Sequence, residues 1–153
     1  MVKIVLHEDF SSSRSLNDIS LLKLASPLEF NDYVNAIPIP AAGETFEGYG
    51  TVTGWGTLST GGISPDVLQK VDVPLVSDKE CRQAYGDTNI LDSMMCAGEE
   101  GKDSCLGDIG GPMACDGKLC GIVSSGRGCG YEGFPGVYTE VAYFVDWIIK
   151  NAA

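Results

Sequence analysis

The chain has 153 residues, 44% of them hydrophobic, with 20 glycines and 7 prolines. That length holds one domain with a real core, or one domain and part of another, and the composition excludes a disordered tail or a fibre. A formal net charge of -11 leaves no basic stripe to neutralise phosphates, which argues against nucleic acid as a partner; the acidic face reads as a solvated surface, with electrostatic attraction of basic substrates as the alternative.

The first residues, Met1-Val2-Lys3-Ile4-Val5-Leu6-His7, are too short and turn polar too soon for a signal peptide. If the protein is secreted, its leader lies outside this sequence. No apolar run approaches the roughly 18 residues of a membrane span, so no membrane association is expected. Residues 3–7 and 19–25 read as strands, separated by a polar Ser-rich loop from Ser11 to Asn17. Residues 27–50 hold three prolines and little periodicity, which predicts a long connector. Short strand-like runs then recur at 51–55, 68–75, 94–97, 113–115, 120–124 and 136–139, with turn residues between them. That rhythm predicts an all-β sandwich or barrel. Asp116-Gly117 is the strongest hairpin signal, because the pair accepts the positive φ values of a tight turn. Only residues 141–150 depart from this pattern: apolar positions at helical spacing, without glycine or proline, predict a C-terminal amphipathic helix.

All six cysteines, Cys81, Cys96, Cys105, Cys115, Cys120 and Cys129, fall in the second half. There is no Cys-x-x-Cys pair and a single histidine, so no zinc site of usual spacing is expected, nor any other cofactor. An even count among glycine-rich segments favours disulfides and an oxidising compartment. Spacing alone leaves many pairings open.

One segment carries chemistry. Lys102-Asp103-Ser104-Cys105-Leu106-Gly107-Asp108-Ile109-Gly110-Gly111-Pro112 resembles the active-site loop of trypsin-like serine proteases, normally GDSGGP. Thr53-Gly54-Trp55-Gly56-Thr57 resembles that family's GWG strand, and Asn17-Asp18-Ile19-Ser20-Leu21-Leu22 its NDIALL-type segment. Gly121-Ile122-Val123-Ser124 is similar to GIVSWG, Pro135-Gly136-Val137-Tyr138-Thr139 to PGVYT, and Tyr143 to Lys150 to the C-terminal helix. The motifs lie in the family's order and span essentially the whole chain.

The resemblance implies an all-β fold: the second six-stranded antiparallel β-barrel of the family with a C-terminal α-helix, plus a remnant of the first barrel. Residues 1–45 would be the remnant and connector, residues 46–153 the second barrel and helix. In such enzymes a serine attacks, a histidine carries its proton, a buried aspartate orients the imidazole, and backbone amides stabilise the oxyanion. Position by position, the resemblance puts Asp18 at the orienting aspartate and the amides of Gly107 and Ile109 at the oxyanion donors. It puts Asp103 on the floor of an Arg/Lys-specific pocket, with Ser104, Ser124, Gly126 and Gly136 around it. Leu106 stands for the usual glutamine at the rim and Ser125 for the usual tryptophan of the wall. Cys81 pairs with Cys96 and Cys105 with Cys129 by the same resemblance. Cys115 lacks its family partner, which would fall near Gly50, so a local bridge across the hairpin to Cys120 is expected.

Three departures bear on catalysis. Ile109 occupies the nucleophile position, and a hydrocarbon can neither attack a carbonyl nor exchange a proton. The only histidine, His7, lies outside the family's histidine motif, which this sequence lacks, and reads as a surface or strand-end residue. Asp108 matches the aspartate that pairs with a freed Ile-Val-Gly-Gly terminus, whereas this sequence starts Met1-Val2-Lys3. Asp108 is therefore expected to be hydrated, protonated or paired differently, in a zymogen-like loop. The expected function is a secreted protease homologue or fragment that binds a peptide or protein through an Arg or Lys side chain but does not cut it alone. The alternatives are an active trypsin-like endopeptidase of which this is a partial or variant chain, and a non-catalytic binding or inhibitor-decoy module. Ile4, Leu6, Leu21, Leu22 and Leu24 are expected to form an apolar patch, covered by self-association or by a separate N-terminal half.

Overall fold

A computed structural model describes residues 2–152; Met1 and Ala153 lie outside the described residues. Strands β1 (Lys3–Leu6) and β2 (Ser20–Lys23) form an antiparallel two-stranded sheet, with Ile4 opposite Leu22. Strands β3 (Tyr49–Gly54), β4 (Gln69–Val76), β5 (Met94–Ala97), β6 (Pro112–Cys115), β7 (Lys118–Ser125) and β8 (Gly136–Glu140) close into an antiparallel barrel in the order β3-β4-β5-β8-β7-β6. Closure leaves the barrel no free strand edge. The small sheet, the six-stranded barrel and the C-terminal helix make the all-β architecture that the motifs implied.

Buried residues alternate with more exposed ones along β3 and β6, as the pleat requires, while β5 and β8 are buried at most positions. Val52, Val73, Met113, Val123 and Tyr138 fill the interior together with Cys115 and Cys120. Fully burying each large apolar side chain stabilises the barrel by about 1.5–3 kcal/mol. The β6–β7 hairpin turns on Asp116 and Gly117, with φ of 49° and 76°, the two successive positive values of a tight turn. Below it the Cys115–Cys120 disulfide staples the two strands. The other disulfides join Cys81 to Cys96 and Cys105 to Cys129.

A helix that the strand rhythm did not predict interrupts the β-structure: α1 (Asp78–Tyr85) follows β4. Its start is encoded in Ser77-Asp78-Lys79-Glu80, where the Ser77 side chain accepts from the Glu80 amide and the Glu80 side chain accepts from the Ser77 amide. This reciprocal cap satisfies two otherwise orphaned donors. Gly86 ends the helix with φ 95°. At the C-terminus the chain first forms a 3-10 turn, Val141–Phe144, and only then α2 (Val145–Asn151).

The small sheet is held to the rest by few contacts. The Trp147 indole N–H donates to Glu8 at 2.8 Å, and the His7 ring stacks on Trp147 and meets Phe144 edge-on. Ile4, Leu6, Leu22 and Leu24 are exposed, and Leu21 is half-buried. No helix among the described residues is long and apolar enough to cross a membrane.

Candidate functional site

The 102–112 loop lies between β5 and β6 and is clamped from two sides. The Cys105–Cys129 disulfide ties it to the segment after β7. The half-buried Asp108 carboxylate turns inward and accepts from the amides of Gly56 at 2.8 Å and Cys105 at 3.0 Å. A Cβ on Gly54 or Gly56 would collide with that carboxylate, so Gly-Trp-Gly after β3 is the room that Asp108 needs. Asp108 thus finds backbone partners within the chain. It borders a cavity of about 200 Å³ that also touches Gly54, Gly56, Lys70 and Lys102.

Asp103 forms the floor of a different cavity of about 330 Å³, walled by Ser104, Ser124, Ser125, Gly126, Cys129 and Gly136, with Leu106 and Ile109 at its mouth. The Asp103 carboxylate accepts from the Ser104 amide at 2.8 Å and the Gly130 amide at 2.9 Å. Those two donors hold the group in place but leave it without a cation, and burial raises its pKa above the ordinary carboxylate value. A Cβ on Gly136 would strike Asp103 Oδ1, so glycine there is a condition of the floor. At Gly126 a Cβ meets nothing closer than 3.8 Å and would simply occupy the channel. Ser104 is buried beside the floor and accepts from the Tyr138 hydroxyl at 3.3 Å. Burial pushes the Tyr138 hydroxyl up to about 12, so it stays a neutral donor.

Asp18, just before β2, faces β7. Between Val123↔Tyr138 and Ser125↔Val137 the β7–β8 register shifts, leaving Ser124 as an extra residue in a bulge. The bulge turns the Ser124 hydroxyl to Asp18, to which it donates at 2.7 Å. Thr139 donates to the Asp18 carbonyl at 2.8 Å. Asp18 and Ile109 line one cavity of about 260 Å³ together with Ser20 and the apolar Leu6, Ile19, Ile122 and Val123. Ile109 is 63% exposed and belongs to both this cavity and that of Asp103. His7 is not among the walls of either. Its Nδ1 accepts from the Asp9 amide and its ring is held against Trp147.

The amides of Gly107 and Ile109 donate to no acceptor among the described residues, while Asp108, Gly110 and Gly111 are bonded to carbonyls. Gly107 has φ 99°, a backbone that a side chain resists. The loop therefore exposes two unpaired amides on either side of Asp108. No group of three or more His, Cys, Asp or Glu side chains among the described residues is placed to hold a metal.

Sequence reasoning assigned no role to Tyr138, Gly130 or Thr60. Tyr138 sits inside a motif already noted, and Gly130 precedes no recognisable signal except its position beside Cys129. Thr60 lines the Asp103 cavity and accepts from the Cys129 amide, a contact across 69 residues that no local pattern announces.

Comparison with known proteins agrees with this architecture. A family model described as Trypsin matches residues 1–148. Among curated proteins the chain is 60% identical to Trypsin-1 of Astacus astacus, over 98% of this chain and 66% of that protein. It is 44% identical to Trypsin I-P1 of Gallus gallus, over 95% of this chain and 60% of that protein. It is also 40% identical to the venom peptide isomerase heavy chain of Agelenopsis aperta, over 97% of this chain and 66% of that protein. The chain thus spans 60–66% of the length of these relatives. With the family model matched over nearly every residue, and the fold and loop architecture in agreement, the chain belongs to the trypsin family.

Proposed function

We propose that this chain captures a basic side chain in the Asp103 cavity and does not by itself hydrolyse the peptide that carries it. The observation that carries this reading is the pairing of a carboxylate floor with a hydrocarbon mouth in a single cavity: Asp103 below, Ile109 above. A guanidinium or ammonium group reaching the floor exchanges water for a desolvated, hydrogen-bonded carboxylate, which is a strong pairing. Ile109 then stands where the resemblance places the nucleophile, with no hydroxyl to offer. The cavity between Asp18 and Ile109 holds no imidazole, because His7 is engaged with Trp147. Membership of the family does not by itself fix an activity, and one relative bears the name of a peptide isomerase.

Two further features extend the reading. The three disulfides support residence in an oxidising, extracellular compartment. The exposed Ile4, Leu6, Leu22 and Leu24 support a partner for the small sheet, either a complementary N-terminal half or another copy. A second reading, an active endopeptidase of which this is a partial or variant chain, is favoured by one observation: the Asp18–Ser124 bond keeps a carboxylate poised toward the Ile109 wall.

The test is an amidase assay with arginine and lysine anilide substrates, alongside labelling by a serine-directed phosphonylating reagent. The proposal expects neither turnover nor labelling from this chain. Turnover after Arg or Lys would sink it. Labelling recovered only when Ile109→Ser is combined with a trypsin N-terminal half would favour the second reading.

A further inference from the structure

The segment that joins the small sheet to the barrel is bonded only to itself. The Lys23 carbonyl accepts from the Val2 amide, and the Pro38 carbonyl accepts from the Leu119 amide. Between those two anchors every hydrogen bond among the described residues is local. Most centre on Asn31, whose backbone pairs with Val34 and whose side-chain oxygen accepts from the amides of Tyr33 and Val34. Of residues 22–39 only Val34 is half-buried, the rest are exposed, and none joins either apolar cluster of the core. Drawing this stretch into an extended form costs one turn and leaves the barrel intact. Tyr33 is 97% exposed at that turn, against 63% for Phe30, the other aromatic residue between Pro27 and Pro38.

Charge narrows what can cut here. The chain has ten Lys and Arg residues, yet none lies between Lys23 and Lys70. Those two belong to β2 and β4, whose paired backbone cannot enter a protease cleft. An endopeptidase with a carboxylate pocket therefore finds no side chain to grip in the connector, whereas one with an apolar pocket finds a free phenol ring. The other long exposed loop, 57–68, contains no aromatic residue and is tied down, by the Thr57 amide on the Leu106 carbonyl and the Cys129 amide on the Thr60 hydroxyl. We infer that the Tyr33–Val34 bond is a processing site for a separate endopeptidase that takes an aromatic side chain, and that the cut frees the Asp18 segment from the barrel.

Hydrolysis there adds one water across the amide, leaving a carboxylate on Tyr33 and an ammonium on Val34. All three disulfides lie beyond residue 33, so no covalent bond then links the two sides. The N-terminal side carries β1, β2 and Asp18. It is held by the bonds of Asp18 with Ser124 and Thr139, of Glu8 with Trp147 and of Arg14 with the Thr88 carbonyl, and by the buried Ile19. The uncut connector keeps these partners together at an effective concentration on the order of millimolar, and the cut removes that advantage. A detached two-stranded ribbon is marginal in water and does not keep the shape that rebinding needs. The Asp103 cavity stands apart, because every one of its walls lies beyond residue 33.

Chymotrypsin at a low ratio to the full chain, with disulfides intact, is expected to make its first cut after Tyr33, read by mass spectrometry of the fragments. Tyr33→Ala is expected to slow that first cut at least about tenfold, and Tyr33→Lys to hand the same bond to trypsin. Gel filtration of the nicked chain at micromolar concentration is expected to separate the two fragments. The barrel fragment is expected to bind benzamidine within about twofold of the uncut chain. A first cut elsewhere, or an unchanged rate in Tyr33→Ala, would overturn the processing site. Fragments that co-elute, or a barrel fragment that has lost the benzamidine binding of the uncut chain, would contradict the release. Failure of the uncut chain to bind benzamidine, with the Tyr33 cut intact, would count only against the Asp103 reading.

Discussion

Ser124 donates to Asp18 across 106 residues of sequence, at 2.7 Å, and does so from the one residue of β7 that the register shift leaves unopposed. The bulge thereby joins the barrel to the segment that leads into the small sheet. Asp18 held in this way lines one cavity together with Ile109, Ile122 and Val123.

Restoring a hydroxyl at position 109 is not expected to restore catalysis. A serine needs a base within hydrogen-bond reach, and the single histidine is stacked on Trp147 and set edge-on to Phe144. Ile109→Ser of this chain alone is predicted to show no anilide hydrolysis above the uncatalysed rate. A measurable burst of product from that variant would contradict the geometry.

Gly136 and Gly126 separate the floor of the Asp103 cavity from its channel. Gly136→Ala drives a methyl group into the Asp103 carboxylate and is predicted to weaken benzamidine binding at least about tenfold. Gly126→Ala meets no atom closer than 3.8 Å and is predicted to fold as stably as the unmodified chain, with a narrowed channel. Calorimetric titration with denaturation curves checks both. Equal binding by Gly136→Ala and the unmodified chain would place the cation elsewhere.

Glu140, at the end of β8, is half-buried, and burial, with Asp78 and Asp92 nearby, pushes its pKa up to about 7. The folded state therefore binds a proton that the unfolded chain releases near its ordinary value of about 4.3. Between those two pH values the native state holds more protons, so this group makes stability fall as pH rises and levels off above about 7. Glu140→Gln removes that dependence. It is predicted to be more stable than the unmodified chain at pH 8, by at most about 2 kcal/mol after partial exposure is discounted, with the difference vanishing near pH 4. Urea denaturation at the two pH values, with disulfides intact, measures it.

Trp147 and Glu8 anchor the small sheet to α2. Trp147→Leu removes both the indole donor and the face on which His7 stacks. Backbone amides of Ile4 and Leu6 are predicted to lose hydrogen-exchange protection in this variant, while β3 to β8 keep theirs, because the closed barrel does not depend on the sheet. Loss of protection throughout would show that the two parts unfold together.

Much of this fold could be read from local pattern. Strands announced themselves by alternation and by turn residues between them, and Asp116-Gly117 by its tolerance of positive φ. Helix α1 was equally local, since Ser77 and Glu80 form a capping box three residues apart, but a run of polar residues around Cys81 hid it from a search for apolar periodicity. The 3-10 entry into α2 carries no distinct signal, because Val141, Ala142 and Phe144 suit either helix. The loop from Asp103 to Pro112 exposed the candidate site by motif. What no motif could supply were contacts between distant segments: the Ser124 bond to Asp18, the Gly130 amide on Asp103, and the space that Gly54 and Gly56 leave for Asp108. These depend on barrel closure and on one bulge, which bring together residues that are remote in sequence.

The most direct test of the central claim is the affinity of benzamidine for the unmodified chain and for Asp103→Asn, measured by calorimetry from pH 4 to pH 8. Because burial raises the Asp103 pKa, binding to the unmodified chain is predicted to weaken as pH falls toward that raised value, where the carboxylate takes up a proton. Asp103→Asn is predicted to bind at least about a hundredfold more weakly at pH 8, the loss of one charge-assisted pair, with no dependence on pH. Equal affinity in the two proteins, or an affinity for the unmodified chain that does not change with pH, would contradict a cation site at Asp103.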